Sequence, residues 1–255
     1  MPDRVRVKVL GKSPSWQDAD GACTGYLVEE AGVRLLLDCG SGVFAKLRGA
    51  VDYHAVDAVL ITHLHADHFL DLVPFAYALT YGPPRRAERP ALHAPPGARA
   101  CWRRVVGAWG NEDLIEAAFD VREYDPAETL HVGPLTIRFQ PVPHFVPANA
   151  VELVAAAGGR FTFGADHGPS PELCEFARGT DLLLIEATLP RPEREGPRGH
   201  LTPGEAGEHA RAAGVKRLVL VHISDELDAE WARREAEAAY GGPVEVATEG
   251  ATFEV

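Results

Sequence analysis

An α/β fold, read as one domain spanning residues 1–255 with two β-sheets face to face and helices outside, is predicted by three features of the sequence. Strand patterns dominate the start of each half, and helices alternate with strands later. No Ser/Gly linker or break in composition separates the halves. A content of 46% hydrophobic residues supplies a sizeable core, and a sheet with an apolar face must bury it against another layer.

The elements follow in order. Arg4–Leu10 alternates Val5, Val7 and Val9 with charged residues, the period of a half-buried strand. The polar stretch from Gly11 to Ala22, with Pro14 and Trp16, is a loop. Gly25–Glu29 and Val33–Asp38 form a hairpin turning at Ala31-Gly32. Cys39-Gly40-Ser41-Gly42 leads into a short helix at Val43–Leu47. Such a turn can hold an anion on backbone N–H groups, but a plain turn is the better reading. Val56–Ile61 is an apolar strand, and Leu70–Tyr81 a helix that stops at Gly82-Pro83-Pro84. Ala91–Ala94 is a strand, and Pro96-Gly97 opens a helix running through Trp109 whose apolar positions face the core.

In the second half, Thr129–Val132 and Leu135–Gln140 pair around Gly133-Pro134. Val151–Ala155 and Phe161–Gly164 pair around Gly158-Gly159. Pro171–Arg178 is a helix and Leu182–Ile185 a fully apolar strand. A helix at Pro203–Ala213, a strand at Leu218–Val221 and a helix at Asp228–Tyr240 follow. Val244–Ala247 and Thr252–Val255 close the chain.

Between the strand Val56–Ile61 and the next helix lies Thr62-His63-Leu64-His65-Ala66-Asp67-His68. Four metal-capable side chains within six residues at the exit of a buried strand are hard to explain by packing. Neutral imidazole and carboxylate together suit zinc and related divalent ions. Read as a loop, the stretch lets His63 and His65 converge on one ion while Asp67 and His68 turn to a second.

This His-x-His-x-Asp-His pattern after an apolar strand resembles the metallo-β-lactamase superfamily of dinuclear hydrolases, over essentially the whole chain. The resemblance implies an αββα four-layer sandwich. It also implies further ligands: His144 in Pro141-Val142-Pro143-His144, Asp166 in Gly164-Ala165-Asp166-His167-Gly168, and His222 after Leu218–Val221. The expected assignment gives His63, His65 and His144 to one ion and Asp67, His68 and His222 to the other, with Asp166 bridging. The family often has threonine where this chain has His167, which is not counted as a ligand and whose role stays open.

Two features narrow the branch. Glu186 ends the apolar strand Leu182–Ile185, and Gly199-His200-Leu201-Thr202 resembles the His-x-Thr element of the phosphodiesterase branch that includes tRNase Z. In that branch the glutamate and histidine assist the leaving group. A carboxylate orients the imidazole and favours its charged form, ready to donate a proton. Glu186 and His200, with Asp67, are therefore the expected catalytic residues. Thr202-Pro203-Gly204-Glu205 reads as a capping box with proline at the first helical position, seating His200 before a helix N-terminus.

The chain most resembles compact bacterial cyclic-nucleotide phosphodiesterases of the branch, including its Gly242-Pro243-Val244 and Thr252-Phe253-Glu254-Val255 ending. The expected reaction is hydrolysis of a small phosphodiester such as cAMP by a metal-bound hydroxide. Two divalent ions are required, zinc ahead of manganese or iron. A tRNA 3′-end endonuclease is the runner-up, weakened by the lack of a long insertion rich in Gly and basic residues. A cyclic sugar-phosphate phosphodiesterase is a further alternative, although only Cys23 lies where such relatives carry additional cysteine ligands. A β-lactamase or thioester hydrolase leaves Glu186 and His200 unaccounted for. A metal-binding sensor without turnover leaves the candidate acid unexplained.

The net charge of −12 points to a small anionic phosphodiester as partner and away from nucleic acid. The basic clusters Arg85-Arg86 with Arg89, and Arg99 with Arg103-Arg104, read as solvated faces. No apolar run approaches the ~20 residues of a membrane span, and no secretory segment opens the chain. Cys23, Cys39, Cys101 and Cys174 are too scattered for a zinc ribbon or disulfide framework. The expected setting is cytoplasmic, with no membrane partner; a homodimer is left open.

Overall fold

The strand Val33–Leu37 shows how the chain builds its layers. Leu35 and Leu37 point into a core shared by two sheets, whereas Leu36 points to helices on the far side. A strand buried on both faces needs a continuous apolar run rather than alternation. Ala58–Leu60, Leu182–Glu186 and Leu218–Val221 repeat the device: Leu60, Leu184 and Val219 face the shared core, and Val59, Leu183 and Leu220 face helices.

The structure is a computed structural model and describes residues 5–83, 88–156 and 158–255. One seven-stranded sheet holds, in spatial order, β14 (Thr252–Glu254), β1 (Arg6–Gly11), β2 (Gly25–Glu30), β3 (Val33–Leu37), β4 (Ala58–Leu60), β5 (Ala91–Ala94) and β6 (Asp120–Glu123). The other holds β13 (Val244–Val246), β12 (Leu218–Val221), β11 (Leu182–Glu186), β10 (Arg160–Phe163), β9 (Ala148–Val154), β8 (Leu135–Val142) and β7 (Leu130–Val132). Against the first sheet pack α1 (Val43–Ala50), α3 (Leu72–Tyr81), α4 (Ala98–Gly107) and α5 (Leu114–Ala118). Against the second pack α6 (Pro171–Phe176), α7 (Pro203–Ala213) and α8 (Ala229–Tyr240). The layers are therefore helix, sheet, sheet, helix, as expected.

Ring contacts lock the two sheets together. Tyr124 stacks on Phe139 at 4.1 Å between ring centroids, and Tyr26 meets Phe163 edge-on at 5.0 Å. The β2–β3 hairpin turns at Ala31-Gly32, both at positive φ. The capping box of α7 is present, and Gly214 in the left-handed conformation ends that helix.

The structure corrects several expectations. Ala66–Phe69 forms a helical turn, α2, so Asp67 and His68 sit on a helix rather than a loop. Trp109 is not core: it lies beyond α4, 51% exposed, while Trp102 is the buried tryptophan. The segment α5–β6 leaves no mark in the sequence pattern, because Leu114–Ala118 is too short to show a helical period. The strand expected at Arg4–Leu10 is Arg6–Gly11. Arg4, and the stretch Pro84-Arg85-Arg86, lie outside the described residues.

Candidate active site

Apart from His200, which sits in the loop just before α7, the candidate side chains lie at or just past the C-terminal end of a strand or at the helical turn that follows one. Strand β4 delivers His63, β8 delivers His144, β10 delivers Asp166, β11 ends in Glu186 and β12 delivers His222. Strands β8, β10, β11 and β12 run the same way, so their ends gather on one edge of the second sheet. A bridge between His63 and Ala148, at the start of β9, ties this edge to the first sheet. Three of the residues that leave strands here, Asp38, Ala165 and His222, adopt positive φ without being glycine. Such backbone costs of order 1–3 kcal/mol each and persists where the surroundings impose it.

The side chains form two touching groups, His63–His65–His144–Asp166 and Asp67–His68–Asp166–His222, with Asp166 common to both. In the first, His144 Nε2 lies 3.0 Å from His65 Nδ1, and Asp166 Oδ2 lies 3.8 Å from His63 Nε2 and 3.9 Å from His144 Nε2. In the second, Asp67 Oδ2 is 3.2 Å from His222 Nε2 and 3.4 Å from His68 Nε2. Asp166 Oδ2 is 3.2 Å and 3.3 Å from the same two nitrogens.

These separations suit metal ions. Donor atoms about 2.0–2.1 Å from one ion stand roughly 2.9–3.5 Å apart when they are neighbours around it. The second group and the His65–His144 pair fall in that range, while the two distances from Asp166 to His63 and His144 are wider. His63 Nε2, His68 Nε2 and Asp166 Oδ1 are buried and lack a hydrogen-bond partner among the described residues. Buried polar atoms are rarely left so, and an ion ligated by them removes the cost. The structure brings His63, His65, His144 and Asp166 together in one group and Asp67, His68, Asp166 and His222 in the other, each able to hold an ion.

The imidazoles are oriented by what their other nitrogens meet. His144 Nδ1 donates to the carbonyl of Gly199 at 2.8 Å, and His68 Nδ1 to Asp38 Oδ2 at 2.7 Å. The Thr62 hydroxyl donates to Asp38 Oδ2, so it accepts from His63 Nδ1 at 3.1 Å. The Thr188 hydroxyl donates to Glu186 Oε2, so it accepts from His222 Nδ1 at 2.8 Å. These bonds hold a proton at Nδ1 in each ring and leave Nε2 facing the cluster. In His68, against the effect of burial, Asp166 and Asp38 also raise the pKa well above the usual histidine value in the metal-free protein. Burial lowers the pKa of His63, His65 and His144, keeping them neutral. Burial alone would raise those of Asp67 and Asp166, but the surrounding histidines hold both well below the usual carboxylate range.

Beside the cluster stands a third group, Glu186, His200 and His222. His200 Nδ1 lies 3.0 Å and 3.1 Å from the two oxygens of Glu186, which is fully buried. The same carboxylate accepts from the backbone N–H groups of His167 at 2.6 Å and Leu201 at 3.1 Å, so it cannot swing away. Burial disfavours a charged His200, but hydrogen bonding and charge from Glu186 outweigh it and raise the pKa to about 9. His200 keeps 16% of its side chain exposed, against none for His63 and His68.

His167, in the threonine position, is no member of the metal groups. Its ring is fully buried, with Nδ1 on the Gly168 carbonyl at 2.7 Å, and burial lowers its pKa to about 4. It serves Glu186 through its backbone N–H alone. Sequence reasoning passed over Asp38, Thr62, Thr188 and Tyr124. Tyr124 donates to the Ile61 carbonyl at 3.0 Å and so holds the chain where it leaves β4 towards His63. Asp38 and Thr188 lie just past strand ends, the one signal that could have marked them. Gly40 is a packing site: a Cβ there would lie 1.8 Å from the Asp67 carbonyl oxygen.

Outside the site, Arg103 is engaged by Asp113 and Glu116 at 2.7 Å each, and Arg99 by the Val121 carbonyl. Among the described residues no helix is long and apolar enough to cross a membrane.

Comparison with known proteins places this geometry. Residues 33–223 match the family described as Beta-lactamase superfamily domain. The chain is 34% identical over 256 residues to uncharacterized protein Rv1339 of Mycobacterium tuberculosis, covering 98% of this chain and 92% of that one. It is 27% identical to the probable metallo-hydrolase YhfI of Bacillus subtilis, covering 98% and 100%. The crystal structure of YhfI superposes with a TM-score of 0.87 at 26% identity, covering 99% of this chain and 100% of that one. Ribonuclease Z of Halorubrum lacusprofundi is 28% identical over 303 residues, covering 98% and 97%.

Proposed function

The chain belongs to the β-lactamase superfamily and is a metallo-hydrolase, and from that premise we propose that it is a dinuclear phosphodiesterase cleaving a small phosphodiester, a cyclic nucleotide such as cAMP. The observation that carries this reading is the Glu186–His200 pair set against the metal-ligand cluster. Hydrolysis of an alkyl phosphodiester expels an alkoxide, which needs a proton as the P–O bond breaks. A histidine kept charged beside the reacting centre supplies one.

His63, His65 and His144 would hold one ion and Asp67, His68 and His222 the other, with Asp166 shared. Two divalent ions, zinc ahead of manganese or iron, supply an activated water near neutral pH and positive charge for the phosphoryl oxygens. Glu186 holds His200 by Nδ1, leaving Nε2 as the atom that gives its proton to the departing ribose oxygen. Thr188 couples the acid to the ligands, since its hydroxyl touches both Glu186 and His222.

The second reading, a tRNA 3′-end endonuclease, is favoured by the likeness to ribonuclease Z. Against it stand the net charge of −12 and the absence of a basic, Gly-rich insertion. The test is a side-by-side assay of cyclic nucleotides, linear dinucleotides and precursor tRNA with added zinc or manganese. The proposal expects turnover of a cyclic nucleotide and only weak, salt-sensitive binding to tRNA. Specific cleavage of the precursor after its discriminator base would replace it with the second reading.

A further inference from the structure

We propose that Phe145 is the platform on which the substrate's nucleobase stacks, an inference that rests on the nucleotide phosphodiesterase reading and extends it to base recognition. Phe145 directly follows the candidate ligand His144, yet its side chain is 51% exposed, whereas the side chain of His144 is fully covered. A large exposed aromatic residue in contact with a catalytic cluster is not explained by core packing.

The ring is held in place. It lies against His144 at 5.1 Å between centroids and meets His200 edge-on at 5.7 Å. Its other neighbour is the backbone of Gly199, where a Cβ would fall 2.3 Å from the ring. Gly199 therefore leaves the space that Phe145 fills. The Gly199 carbonyl also accepts from His144 Nδ1, and its N–H donates to Glu193 Oε2 at 3.0 Å. One wall thus carries a metal-ligand histidine, the acid and an exposed aromatic ring in mutual contact.

A phosphodiester whose leaving oxygen is next to His200 brings its sugar, and the base attached to it, beside that ring. Bases stack on aromatic side chains with little sequence preference, so the platform fits a nucleotide rather than a plain sugar phosphate, and purines and pyrimidines alike.

The test compares cAMP with the 3,5-cyclic phosphate of methyl riboside, which keeps the phosphate ring and lacks the base. Phe145→Ala should raise KM for cAMP by about 5- to 100-fold, with kcat changed by less than about threefold. KM for the base-free analogue should not move. Phe145→Trp should stay near wild type, and Phe145→Leu, which retains apolar packing on Gly199, should behave like Phe145→Ala. Equal losses on both substrates, or a Phe145→Leu variant matching wild type for cAMP, would overturn the platform while leaving the phosphodiesterase reading intact. A wild-type enzyme that releases p-nitrophenol from a generic phosphodiester but cleaves no nucleotide would instead overturn the nucleotide reading, and the platform with it.

Discussion

The imidazole of His200 bonds through Nδ1 to both oxygens of Glu186, at 3.0 Å and 3.1 Å, while its ring lies parallel to that of His222 at 5.6 Å. The histidine proposed as the acid is thereby fixed beside the candidate ligands. His200→Ala should accordingly retain the metal ions, as measured by elemental analysis. Its turnover of cyclic nucleotides should fall by about 10²–10⁴-fold. Release of p-nitrophenolate, which leaves without a proton, should change little. Glu186→Gln should show the same pattern more mildly. A His200 variant that loses metal would assign it a different role.

The same pair sets a pH dependence in the metal-free protein. The folded pKa of His200, about 9, lies above the ordinary histidine value near 6.5. The pair therefore contributes its full stabilisation below about pH 6.5 and loses it as pH rises through about 9. Thermal melts of metal-free protein between pH 6 and pH 10 should show a decline of Tm in that window. Glu186→Gln should flatten the decline and bring the His200 resonance, followed by NMR, back towards the ordinary range.

Metal content provides a third check. The purified enzyme should hold about two equivalents of a divalent ion. His144→Ala should weaken the first site and Asp67→Ala the second. Asp38→Asn would present an amide NH₂ to His68 Nδ1 and so favour the wrong tautomer. Its expected cost is a roughly 10–100-fold loss of affinity for one ion in chelator competition. Chelation should abolish activity without unfolding the chain, because the two sheets are held by an extensive apolar core of their own. Cooperative unfolding on chelation alone would contradict that.

Gly40→Ala tests how the turn before α1 supports the site. The Asp67 carbonyl occupies the place of the new methyl, and the adjacent Cys39 N–H donates to the His68 carbonyl at 2.8 Å. The strain should fall on the Asp67–His68 turn. We expect a lower Tm together with weakened binding of one ion. Gly49→Ala, within α1 where a Cβ meets nothing within 4 Å, should leave metal binding unchanged and should not lower Tm, since alanine favours the helix.

Much of this was legible in the sequence, because each signal was local. Apolar runs at Val56–Ile61 and Leu182–Ile185 announced buried strands, and two sheets face to face with helices outside make four layers. His63, His65, Asp67 and His68 are close in sequence and needed no fold to be noticed. His144, Asp166, His200 and His222 stand alone in the chain, and only resemblance to a family linked them to a site. Three-dimensional structure alone decided that they converge, because the ends of β8, β10, β11 and β12 gather on one edge of the second sheet, next to the end of β4 in the first. It alone brought Asp38 to His68 and Thr188 to His222, bonds that join residues 30 and 34 positions apart. It also turned Asp67 and His68 onto a helix and left the Phe145 ring in the open beside His200. Periodicity reports which face of an element is apolar, but partners brought together by chain topology leave no local pattern, and those partners decide which nitrogen carries a proton.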